Sequence, residues 1–155
     1  FRQEFAKPLP PPKSLLRDEK ALMEQIDAAF DGVTLEDGIG LMTTQLLDMY
    51  APREVCAAVA PCEERSDWRR ITPAMVRACW DALIFTDPKG YRFLLPAWLT
   101  LDLRGQLGDF DALDYLPLLP ENCGIYESQA VLLNDRQLEA VINFIEYRQR
   151  EDCSP

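Results

Sequence analysis

The chain reads as all-α: one domain built as an orthogonal array of about five helices, with a long ordered acidic loop before the last of them. Three observations predict this class. Apolar residues recur at helical spacing in successive segments, and several of those segments open on a side-chain cap, twice followed by proline. No alternation of apolar and polar residues runs beyond a few positions, so no segment reads as a strand. At 155 residues the chain is long enough to bury roughly two thirds of its unfolded surface, and a real core is expected.

Residues 1–13, FRQEFAKPLPPPK, form a proline-rich arm that cannot be helical, because Pro10, Pro11 and Pro12 in succession enforce polyproline II geometry. The string PLPPPK fits the PxxPx+ pattern of ligands for aromatic-lined grooves, although a tail or a strap along the domain is the simpler reading. The helical domain is expected over residues 14–150, with 151–155 as a tail.

Ser14 is placed to cap the first helix, in which Leu15, Leu16, Leu22, Met23, Ile26 and Phe30 share a face and Asp31-Gly32 marks the end. The second helix is expected from about Asp37 to Tyr50, burying Leu41, Leu46, Leu47 and Tyr50, with a first turn weakened by Gly38 and Gly40. Residues 53–62 read as a short helix or an ordered loop closed by Pro61. Thr72-Pro73 opens a helix to about Leu83 that buries Val76, Cys79, Trp80 and Leu83, and Asp87-Pro88 repeats the device for a helix to about Leu103, stopped by Gly105. Asn134 with Gln137 forms a capping box for the last helix, which reaches about Arg150. Between Gly105 and Leu133 the helical period disappears. Leu116, Leu118, Leu119, Tyr126, Val131 and Leu132 predict that this stretch packs down on the core.

The helix 88–103 is apolar nearly all round and is expected to be central and buried, bent at Pro96. Arg92 projects from it and needs a carboxylate or a rim of solvent, with Asp81, Asp87 and Asp102 as candidate partners.

The composition excludes several chemistries. There is no histidine, which removes Ser-His-Asp and Cys-His catalysis and the histidine-containing zinc sites. The five cysteines, Cys56, Cys62, Cys79, Cys123 and Cys153, include no CxxC pair and read as mostly buried small hydrophobes in a reducing compartment. Asp109, Asp111 and Asp114 lack the spacing of a calcium loop, and the glycines of GIG at 38–40 lack the strand and third glycine of a phosphate-binding turn. No metal and no cofactor is therefore expected. A net charge of −10 opposes binding to nucleic acid or anionic lipid, and no apolar run reaches the ~18 residues of a membrane span. With no secretory leader at Phe1, the expected location is cytoplasmic.

The negative charge is concentrated. From Gly105 to Asp135 there is no Lys or Arg, while Asp109, Asp111, Asp114, Glu121, Glu127 and Asp135 all fall there. The stretches IDAAFDGV (26–33), DW (67–68), ITP (71–73), the motif F-x-D-x-x-G-Y-R-F-x-L-P-A (85–97) and LNDRQ (133–137) resemble a family of small bacterial domains of unknown function over about residues 22–150. The resemblance implies a bacterial, cytoplasmic, helical domain and lends no catalytic residues.

Two functional expectations follow. The first is a non-enzymatic interaction domain that meets a basic protein partner through Asp109, Asp111, Asp114, Glu121 and Glu127, in the manner of an immunity protein that neutralises a basic toxin. The alternative, from another class, is a small-molecule or anion-binding domain, or an enzyme, centred on Arg92 with Tyr91, Trp80 and Trp98 as walls.

Overall fold

The computed structural model describes residues 7–122 and 124–154; among them it contains helices and no strand. Arm residues 1–6, Cys123 and Pro155 of the predicted tail lie outside the described set. α1 (Arg17–Ala29) starts later than the Ser14 cap predicts. Leu16 is the cap residue, and the Glu19 carboxylate closes the turn: Oε1 accepts from the Leu16 amide at 2.8 Å and Oε2 meets the Lys13 ammonium at 2.7 Å. A carboxylate does this well because it faces the partial positive charge of the helix start.

α2 (Leu41–Asp48) is shorter than the expected 37–50 span. The glycines explain the difference. A Cβ on Gly38 would lie 2.7 Å from the Lys89 Cβ, and one on Gly40 would lie 2.3 Å from the Glu63 carboxylate, so residues 37–40 are a loop pressed against neighbouring chain. The same Glu63 carboxylate accepts from the Thr43 amide and caps α2 from outside. Of the residues expected to be buried here, Leu41 is; Leu46 is half-buried, Leu47 is exposed, and Tyr50 stands 95% exposed with φ 55.

α3 (Arg53–Val59) runs into a 3-10 turn at Ala60–Cys62. α4 (Pro73–Ala78) opens as predicted, with the Thr72 hydroxyl accepting from the Met75 amide at 3.2 Å. It does not continue to Leu83. The chain leaves helical geometry at Cys79 (φ −129, ψ 45), turns Asp81 inward, and resumes as α5 (Ala82–Phe85). Val76, Cys79 and Leu83 still reach the core, whereas Trp80 is only half-buried.

α6 (Pro88–Leu103) is the central helix, with 12 of its 16 residues buried. Its cap residue Asp87 accepts from Gly90 at 2.8 Å and from Ile39 at 3.0 Å, while the Thr86 hydroxyl donates to the Ile39 carbonyl at 2.7 Å. One cap therefore starts the helix and clamps the 37–40 loop to it. Pro96 lies inside the helix, and Thr100 donates back to its carbonyl at 2.9 Å. Gly105, with φ 70, ends the run as predicted.

α7 (Asp135–Asp152) has the predicted Asn134–Gln137 capping box and extends two residues past 150. It packs along α1, and α1 packs on α6, so that Leu22, Ile26, Phe30, Phe93, Trp98, Val141 and Phe144 belong to one continuous core.

Candidate functional site

The acidic stretch after α6 is ordered by polar side chains rather than by regular structure. It holds 3-10 turns at Ala112–Tyr115, Pro120–Asn122 and Gln129–Leu132. Asp102 of α6 accepts from the Ala112 amide at 3.1 Å, and Asp111 caps the first turn through the Leu113 amide at 2.9 Å. The buried Asn122 amide donates to the Leu113 and Leu116 carbonyls at 2.8 and 2.9 Å. The buried Tyr91 hydroxyl donates to the Tyr115 carbonyl at 2.6 Å, and Gln129 donates to the Ile84 carbonyl at 3.0 Å, tying the far end of the segment to α5.

The predicted acidic residues divide into two groups. Asp109 meets Lys7 at 3.5 Å, and Asp111 lies 3.5 Å from Arg148, so both have cations from elsewhere in the chain. Asp114, Glu121 and Glu127 are exposed, and among the described residues no cation pairs with them. Partial burial and the neighbouring charges of Asp111 and Glu121 push the Asp114 carboxyl above its ordinary range. Glu127 is held below its ordinary range by the Gly124 amide that it accepts.

The same segment carries an apolar tip that the sequence placed in the core. Leu116, Leu119 and Tyr126 are buried as expected, but Leu118 (59% exposed), Val131 (67%) and Leu132 (39%) face solvent, as does Ile125. A 3-10 turn repeats every three residues, so in Ala130-Val-Leu-Leu133 only the first and last point inward. Leu118 adopts φ 72, a region that a bulky side chain rarely occupies, and its side chain is turned outward between Pro117 and Pro120.

Arg92 meets Glu36 at 3.4 Å, not Asp81, Asp87 or Asp102. Glu36 also receives Lys89 at 3.4 Å, and this network fastens the 36–40 loop to α6. Tyr91 and Trp98 have no exposed surface, Trp98 lying edge-on to Tyr115. Trp80 stacks on Phe110, with centroids 5.7 Å apart, in a groove of its own. The structure thus does not gather these four residues around one cavity.

Two further polar features were not foreseen. Asp81 is buried beside Asp48, and burial, then the Asp48 carboxyl, push its pKa up. Cys79 lies near Asp81 and Glu63, and burial with those charges pushes its thiol up to about 11, which makes it a poor nucleophile. Among the described residues no group of three or more Cys, Asp or Glu is arranged to hold a metal ion, and no helix is long and apolar enough to cross a membrane.

The fold and its exposed features define a class: an all-helical domain that carries an acidic segment with exposed apolar residues beside its central helix. The family of unknown function DUF6714 matches residues 18–154, and the chain belongs to it. No curated protein and no solved structure matches the chain.

Proposed function

We propose that this protein is a non-enzymatic interaction domain that docks a basic protein partner on the face formed by Asp114, Leu118, Glu121, Ile125, Glu127, Val131 and Leu132, as an immunity-type neutralising protein or an adaptor. One observation carries the reading: exposed apolar side chains are interleaved with exposed carboxylates that have no cation beside them. Such an arrangement has the anatomy of an interface, an apolar centre for contact and a charged rim for steering and selection. Asp109 and Asp111, already paired within the chain, belong to its edge. The free thiols of Cys56, Cys62, Cys79 and Cys153 support a reducing, cytoplasmic setting, and the likeness in sequence supports a bacterial one.

The test is a photo-crosslinking residue placed at Leu118 in the full chain, expressed in its native host. A basic protein should be trapped at low salt, weakly at high salt, and not at all once Glu121 and Glu127 are replaced by Lys. Failure to trap any basic protein at either salt concentration would overturn the proposal.

A further inference from the structure

Residues 7–13 of the proline-rich arm lie along a groove. They run past Trp80, Leu107 and Phe110, with Pro8 and Pro10 lining the same space. The Trp80 and Phe110 rings stack on each other, parallel to within 5°, and line the apolar side of this groove. Arg77 donates to the Lys7 carbonyl, and the Arg104 carbonyl accepts from the Lys13 amide at 2.9 Å, so the backbone is read at both ends. The side chains are read too: Lys7 meets Asp109 at 3.5 Å and Lys13 meets the buried Glu19 at 2.7 Å.

This is the chemistry by which aromatic-lined grooves take polyproline II segments: flat rings for the pyrrolidines, donors for carbonyls that a polyproline helix leaves unpaired, and acids for flanking cations. Six residues of polyproline II rise about 19 Å, which sets the spacing of the two lysines along such a segment. Residues 7–13 do not fill the groove. About 490 Å³ remains beside them, and Leu9, Pro11 and Pro12 are exposed. The Lys7–Asp109 pair is exposed on both sides, a weak, salt-screened contact.

We propose that this groove is a docking site for an extended, proline-rich segment flanked by lysines on a partner protein, and that residues 7–13 are its resident competitor within the chain. The site goes beyond the acidic face described above and shares with it only Asp109, at that face's edge. Partner binding here requires the arm to leave, so the arm sets a threshold that only a better or more concentrated ligand overcomes.

The probe is a fluorescently labelled peptide of sequence KPLPPPK, titrated with the full chain and followed by anisotropy. The full chain should bind it, and a Lys7→Ala/Lys13→Ala variant, whose own arm is poorly anchored, should bind it severalfold more tightly. Asp109→Lys, an exposed substitution that leaves the core intact, should weaken binding, as should Trp80→Ala. Glu121→Lys should not change it, which separates this site from the acidic face. Absence of binding by the Lys7→Ala/Lys13→Ala variant overturns the proposal. Equal binding of KALAAAK overturns the requirement for proline. A concentration-dependent dimer that the peptide dissolves would show the occupant to be a second copy's arm and would overturn the assignment to a partner.

Discussion

The guanidinium of Arg148, near the end of α7, is held between the carboxylates of Asp102 on α6 and Asp111 in the acidic segment, so one cation joins the central helix, the last helix and the candidate interface. The Asp102 side chain is 8% exposed, and its burial pushes its pKa up despite Arg148 beside it. Truncating Arg148→Ala leaves a buried charge with only the Ala112 amide as partner. The expected cost is about 3 kcal/mol, measured by urea unfolding, with part of it restored in Asp102→Asn/Arg148→Met. A loss below about 0.5 kcal/mol would show that solvent replaces the pair.

Gly90 sits where two chain segments touch. A Cβ there would lie 1.8 Å from the Thr86 hydroxyl and 2.2 Å from the Ile39 carbonyl, and the carbonyl, being backbone, cannot step aside alone. Gly90→Ala is therefore expected to cost several kcal/mol and to release the 37–40 loop from α6, although alanine is the better helix former. Thermal unfolding and hydrogen exchange at Ile39 and Leu41 would register both effects.

The central helix was legible because two strong local signals agree: Asp87-Pro88 at its start and apolar residues on nearly every face. The first helix was misread at its start because the cap comes from Glu19, within the helix, and not from the residue before it. Gly38 and Gly40 looked like turn chemistry or weak helix, whereas their cause, like that of Gly90, is close approach between segments far apart in sequence. Such causes leave no periodic trace. The acidic segment was found by charge alone, but its apolar tip was assigned to the core because hydrophobicity carries no direction without a period. Arg92 drew attention as a cation in an apolar helix; its partner Glu36 lies in a loop that no spacing argument could bring to it.

The Asp48–Asp81 pair makes stability depend on pH. Asp81 is buried, and its pKa is raised above its ordinary 3.8 by burial first and by Asp48 second, with Cys79 and Glu63 nearby. A carboxyl whose pKa is higher folded than unfolded favours the folded state while protonated, so stability falls as pH climbs from about 4 through the raised value. Asp81→Asn keeps a neutral side chain at every pH. It should raise the melting temperature at pH 7, leave it nearly unchanged near pH 4, and flatten the profile between. An unchanged slope would place the titration elsewhere.

Leu118 combines φ 72 with an exposed side chain, so the native state holds a strained backbone without gaining core contacts from it. A left-handed leucine costs on the order of 1–3 kcal/mol, and glycine relieves that strain while adding freedom to the unfolded chain. The two effects oppose, and Leu118→Gly is expected to leave stability unchanged or raise it by up to about 1 kcal/mol. If Leu118 is the apolar centre of a docking face, the same substitution weakens partner capture at least tenfold, the cost of losing a buried leucine from an interface. Measured side by side, unfolding and capture must diverge. A variant that loses both together would mean that Leu118 supports the fold, and the acidic face would then lose its central contact.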